Sequence, residues 1–238
     1  MTSLITKDIT LQVADGTTMG AYLARPDGAG PYPGVLVFQE IFGVNAHIRN
    51  VTDRIAGLGY AAMAPDLFHR TAPGFQSGYT DMAPGMQHAG ELTPDGVLAD
   101  MKATYNWLMS DPVCDGDRIA SLGFCMGGRI AFASSRLLPI QAAVCFYGGG
   151  IAQTQLDHVD QVKAPLLLFW AGADANISPA DTQAVGDALR SAGKDFVAVE
   201  FGLADHGFFC DARASYDAAA AKQAWALTAA FLAEHLKA

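Results

Sequence analysis

For most of its length the chain alternates short apolar runs with stretches whose apolar residues recur at helical spacing. A strand that is apolar on both faces must be covered on both. A helix after each strand does this and makes neighbouring strands parallel. Strands are expected at Val35–Phe38, Ala61–Ala64, Arg118–Leu122, Ala142–Phe146, Leu166–Phe169 and Phe196–Phe201. Helices are expected from His47 to Leu58, from Thr93-Pro94 to the Asp111-Pro112 stop, from Arg129 to Arg136, from Ser178-Pro179 to about Gly193, and from Tyr216 to Leu236. Thr93 and Ser178 suit N-caps, and the prolines after them suit a first turn. Leu4 to Arg25 alternates as strands do around Asp15-Gly16 and reads as a hairpin on the sheet edge. The fold class is therefore α/β, with a mainly parallel sheet and helices on both faces.

Apolar residues make up 51% of the 238 and charged residues 16%. The charged share is well under the usual ~25%, and disorder is excluded. A chain of this length can bury a sizeable core, and a single domain over residues 1–238 is expected. Asp plus Glu outnumber Lys plus Arg by 24 to 15, a formal charge of -9, which argues against a nucleic-acid partner. The N-terminus shows no secretory h-region and no run approaches a membrane span, so a cytoplasmic protein with no membrane partner is expected. Cys114, Cys125, Cys145 and Cys210 form neither a disulfide framework nor a CxxC pair. Nothing calls for a metal or an organic cofactor. The Gly- and Pro-rich segment 71–93 has no clear period; it reads as a cover over an active site or as a plain surface excursion.

The sharpest local signal is Gly123-Phe124-Cys125-Met126-Gly127-Gly128. It has the form G-x-S-x-G with cysteine in the serine position. An expected strand precedes it and an expected helix follows, the context this motif needs. The nucleophile then sits on a tight strand-to-helix turn. Glycines two residues to either side let neighbouring backbone pass, and the helix N-terminus favours a thiolate. The competing reading is a buried small apolar residue, the usual fate of a free cysteine. Core packing accounts for Cys114 and Cys145, and Cys210 stays open because it lies four residues after His206.

A thiol nucleophile needs a base, and the base needs an orienting group. In this fold class the chain order is nucleophile, acid, histidine. Among the later histidines, His206 follows the last expected strand, whereas His158 and His235 lie in surface settings. Asp174 directly follows the strand beginning at Leu166, at the same sheet edge as Cys125. Asp205 is adjacent to His206 and its side chain should point away; Asp181 and Asp187 fall in the next helix. Backbone N–H donors for an oxyanion are expected from Met126 and from Ile41, in the loop Gln39-Glu40-Ile41-Phe42-Gly43. Glu40 is a carboxylate in an otherwise apolar segment.

These segments, with Gly43-Val44-Asn45, Ala64-Pro65-Asp66-Leu67-Phe68 and His206-Gly207-Phe208, resemble the dienelactone hydrolase (carboxymethylenebutenolidase) family of α/β hydrolases over nearly the whole chain. The resemblance implies a Cys-His-Asp triad of Cys125, His206 and Asp174, with Glu40 contacting the thiol and helping set its ionisation. It implies cleavage of a small-molecule ester or lactone through a thioester.

Dienelactone hydrolases grip a substrate carboxylate with arginines. This sequence has none between Arg70 and Arg118, and Cys210 stands at the second position. Arg70 and Arg213 are candidate replacement cations, and Tyr147 and Phe208 further candidate substrate contacts. Two other readings remain beside a lactonase: a broad esterase or thioesterase, and a non-catalytic binding or redox module. The sequence leaves monomer and homodimer undecided.

Overall fold

The computed structural model describes residues 3–236. The chain forms two compact units, one up to Ala120 and one from Ser121 onward. The boundary falls inside a strand.

The first unit opens with β1 (Leu4–Gln12) and β2 (Thr18–Pro26), paired antiparallel from Leu4 opposite Pro26 to Gln12 opposite Thr18. This is the expected hairpin. Asp15 and Gly16 make its turn, Gly16 at a φ of 87° and the Asp15 carboxylate accepting from Thr17 N at 3.0 Å. Then follow β3 (Tyr32–Phe38), α1 (Ala46–Gly57) and β4 (Ala61–Pro65). β3 and β4 are parallel, and β4 pairs antiparallel with β2. Asn45 caps α1, its side chain accepting from Ile48 N at 3.2 Å.

Segment 71–93 contains a helix that sequence reading did not find, α2 (Ala83–Gly90). Pro84 and two glycines in eight residues hid it. The segment folds against the turn after β3. Gln76 bridges to Gly43, Phe42 and Tyr79 meet edge to face at 4.6 Å, and Gly85 packs on the Ile41 carbonyl so closely that a Cβ would collide with it. α3 (Pro94–Ser110) follows, with Thr93 as N-cap and Pro94 in its first turn, as expected. β5 (Cys114–Phe124) completes the unit's strand order, β1-β2-β4-β3-β5, and starts four residues earlier than its apolar run.

In the second unit the end of β5 leads into α4 (Met126–Leu137), β6 (Ala142–Phe146), the short α5 (Ile151–Thr154) and a 3-10 turn (Leu156–Gln161). β7 (Leu166–Ala171), α6 (Pro179–Ser191), β8 (Phe196–Phe201) and α7 (Ala218–Leu236) complete it. The strand order is β5-β6-β7-β8, with β6, β7 and β8 parallel. β6 and β7 are buried throughout, as unbroken apolar runs require, while β8 at the end of the order is half exposed. α4 begins three residues before its expected start, because Met126 already lies in its first turn. No helix among the described residues is long and apolar enough to cross a membrane.

Arg70 is not a free cation. Its guanidinium donates to both oxygens of Asp100 at 2.8 Å and to Asp15 in the hairpin turn at 2.8 Å. The expectation that it grips a substrate carboxylate is corrected: it ties α3 to the β1–β2 turn. Asp100 is fully buried and also bonds His69 Nε2 at 3.1 Å. Asp100→Ala would strand a guanidinium and an imidazole, and loss of one partner from a buried pair costs about 3–5 kcal/mol. Urea denaturation should show a destabilisation of that size, whereas Asp187→Ala, which breaks the exposed pair with Arg190, should change stability by less than about 1 kcal/mol.

Candidate active site

Cys125 stands at the crest between β5 and α4 with φ 54° and ψ −117°, a conformation non-glycine residues rarely adopt. Its neighbours make the bend possible. A Cβ on Gly123 would collide with the Gly127 carbonyl, and one on Gly128 would lie 2.5 Å from the Phe146 carbonyl. The bend is pinned by Cys125 N donating to Phe146 O at 3.0 Å, and by Gly128 N donating back to Cys125 O at 3.0 Å. Cys125 is partly exposed, whereas the other three cysteines are buried. Burial pushes the Cys114 thiol up to about 12, and that of Cys145 further. Both are inert as nucleophiles.

His206 lies after β8, and Asp174 after β7. His206 Nδ1 meets Asp174 Oδ2 at 2.7 Å; the carboxylate is fully buried. The other carboxylate oxygen, Oδ1, accepts from Asn176 N at 2.7 Å. The imidazole is also hydrogen-bonded to the Cys125 thiol. With Nδ1 engaged by Asp174, Nε2 is the atom left for sulfur. Burial alone would lower the His206 pKa. The hydrogen bonds to Asp174 and Cys125, and their charges, outweigh it and push it up to about 10.

The loop carrying His206 is held at both backbone ends. Asp205 takes the His206 amide at 2.6 Å, so its carboxylate serves the main chain, not the ring. Ser215 Oγ donates to the His206 carbonyl at 2.8 Å. Sequence reasoning missed Ser215, and its only signal was proximity in the chain. Tyr147 and Phe208 are fully buried. Tyr147, at φ 36°, lies 5.1 Å from the imidazole and 5.3 Å from the Phe208 ring. Tyr147 packs beside the imidazole and Phe208 packs behind Tyr147, and the reading of them as substrate contacts is replaced by one of support. Arg213 lies along Gly207, where a Cβ would strike its guanidinium. Arg129 was missed; its guanidinium packs on Gly150 at the start of α5.

The structure brings Cys125, Asp174 and His206 together. His158 is exposed, and His235 packs on Phe231 within α7. Asp181 forms a capping box with Ser178, and Asp187 pairs with Arg190. Met126 opens α4, so its N–H has no acceptor within the helix. In the first unit, Glu40 and Ile41 are buried in the turn after β3, where Gln39 Nε2 donates to Glu40 O at 3.3 Å and Gln39 Oε1 accepts from Leu67 N at 3.2 Å.

The dienelactone hydrolase family model matches residues 19–236. The chain belongs to the dienelactone hydrolase family. It is 38% identical over 216 residues to a Synechocystis protein provisionally named carboxymethylenebutenolidase, covering 87% of this chain and 88% of the other. A crystal structure of a provisionally assigned dienelactone hydrolase from Klebsiella pneumoniae superposes with a TM-score of 0.90 at 32% identity, covering 98% of this chain and 99% of that one. A dienelactone hydrolase-like promiscuous phosphotriesterase from metagenomic libraries gives 0.85 at 25% identity, with 98% and 99% covered. The fold is that of the α/β hydrolases, and this dienelactone hydrolase relative is a carboxylic ester hydrolase acting on esters or lactones.

The raised His206 pKa has a consequence for stability. Its folded value lies above the ordinary ~6.5, so its contribution is complete below about pH 6.5 and is lost as the pH rises toward 10. The stability difference between the wild type and His206→Gln should therefore be largest in mild acid and shrink steadily up to pH 10. Denaturant titrations at a series of pH values measure it; a pH-independent difference would contradict the assignment.

Proposed function

We propose that the enzyme cleaves its ester or lactone by thiol catalysis, with Cys125 as nucleophile, His206 as general base and acid, and Asp174 as the group that orients the imidazole. The observation that carries this reading is the position of His206, bonded to Asp174 at 2.7 Å on one side and to the Cys125 thiol on the other. A carboxylate on Nδ1 selects the tautomer that presents Nε2 to sulfur, and it stabilises the imidazolium once the thiol proton has moved.

The Cys125 thiolate adds to the substrate carbonyl carbon, and the carbonyl oxygen takes the negative charge. The Met126 N–H, at the positive end of α4, faces no helical acceptor and suits that oxygen. Collapse breaks the bond to the leaving oxygen, which takes the proton from His206. A thioester on Cys125 and neutral imidazole remain. Water gives a proton to His206 as it adds to the thioester, and expulsion of the thiolate completes hydrolysis. Thiolate is itself a good leaving group, so the acyl group must be kept from returning to the released alcohol. In a lactone that opens to an enol, conversion to the keto form removes that nucleophile, and this favours an enol lactone as substrate.

Cys125→Ala should reduce turnover of an enol lactone by at least about a thousandfold while circular dichroism and the unfolding midpoint stay near wild type. Asp174→Asn should lower kcat more than it changes KM, because the carboxylate acts on the ring and not on bound substrate. Substantial activity in Cys125→Ala would refute the nucleophile. A simple aryl ester turned over faster than the lactone would favour the broader esterase.

A further inference from the structure

β8 ends the second unit's strand order, and among the described residues no strand pairs with its outer edge. Leu166 N donates to Asp195 O at 3.1 Å and Gly172 N to Phe201 O at 2.9 Å. Asp195 and Phe201 therefore turn their backbone groups toward β7. Alternate residues of a strand point the same way, so Val197 and Val199 also face β7. Phe196, Ala198 and Glu200 turn their N–H and C=O groups outward. Sheet edges are normally guarded by lysines, prolines or bulges. β1, which ends the first unit's order, has Lys7 and Asp8 exposed in mid-strand. β8 reads Phe-Val-Ala-Val-Glu-Phe, with no proline, glycine or lysine, and its Val197 is 47% exposed. An unguarded edge of this kind is a template for another strand.

The side chains specify the occupant. Those of Phe196, Ala198 and Glu200 lie on the α6 side of the sheet, where a groove of about 370 Å³ runs between α6 and the strand. Arg190 of α6 stands at this groove, its guanidinium 5.7 Å from the centre of the Phe196 ring. It pairs with Asp187 at 2.8 Å, an exposed contact that leaves 66% of the arginine side chain accessible. Glu200, four residues along the strand from Phe196, is exposed and has no ion pair among the described residues. The edge thus presents a cation at one end and an anion at the other.

We infer that β8 pairs with β8 of a second copy of this chain, antiparallel, about a two-fold axis at Ala198. In an antiparallel ladder the outward-facing residues of the two strands must stand opposite one another. With Ala198 opposite Ala198, Phe196 stands opposite Glu200 of the second copy. The outward N–H and C=O groups of Phe196, Ala198 and Glu200 are then all paired across the seam. The carboxylate of Glu200 comes beside Arg190 of the second copy, and the two-fold axis repeats this contact. On the other face Val197 meets Val199, a β-branched pair suited to neighbouring strands, and the exposed valine is covered. A register shifted by two residues sets Glu200 opposite Lys194 instead. That ammonium is already held by the Asp160 and Val162 carbonyls, so the register centred on Ala198 is the one with an available cation.

Sedimentation velocity over a concentration series tests this with the wild type, Glu200→Arg and Arg190→Glu. The wild type should reach twice the chain mass. Each single substitution sets like charges together on both sides of the axis and should weaken dimerisation at least about tenfold. An equimolar mixture of the two variants restores opposite charges at both contacts and should recover a dimer of near wild-type affinity. Both side chains are exposed, so circular dichroism of each variant should match the wild type. Hydrogen exchange locates the seam: the Phe196, Ala198 and Glu200 amides should be protected in the dimer and exchange freely in Glu200→Arg. Cys125→Ala should dimerise as the wild type does, because the seam is independent of the thiol. A monomer at every concentration, the result if this edge serves a different protein, would overturn the proposal. So would a dimer that both single substitutions leave intact, or a mixture that stays monomeric.

Discussion

A short hydrogen bond buried after two strands, from His206 to Asp174, governs what the second unit can do. Without it the imidazole could rotate, and the base proposed for the Cys125 thiol would lose its orientation. The bond is possible only because β7 and β8 are parallel and adjacent, so that the residues following them emerge at one edge. Its surroundings preserve it. The aspartate is fully buried and takes a backbone amide on its second oxygen, while the histidine loop is fixed by Asp205 and Ser215 and enclosed by Tyr147. Desolvation makes such a pair strong when satisfied and costly when broken.

The sulfur end obeys a different constraint, which is steric. Cys125 occupies a backbone conformation that is intrinsically unfavourable, and it is held there by bonds to Phe146 O and from Gly128 N. Glycine is required at 123 and 128 because main chain passes where a Cβ would be. The strain has a function: it lifts the side chain clear of the sheet, leaving this cysteine partly exposed while the other three are packed away. The sequence spacing that defines the motif is the record of that geometry.

These two constraints explain what was legible in the sequence. Alternating apolar runs revealed the strands, because a buried parallel strand has few alternatives. The glycine spacing revealed the bend, and chain order pointed to Asp174 and His206, which the structure brings together. Less was visible where the determinants are long-range. α2 is short and rich in glycine and proline, and it is held by packing on the Ile41 turn instead of by propensity. Arg70 looked available for substrate because nothing local showed that Asp15 and Asp100, 55 and 30 residues away, take its guanidinium. Tyr147 and Phe208 were assigned to the correct neighbourhood, but the side of the histidine they support depends on burial, which a motif does not encode.

The thiol account is tested most directly by stopping the enzyme in acid during turnover of an enol lactone and measuring the mass of its peptides. The account predicts an acyl group of the substrate's mass on the peptide carrying Cys125, lost again when the substrate is exhausted. Full turnover with Cys125 unmodified at every time point, or an acyl group on another residue, would contradict it.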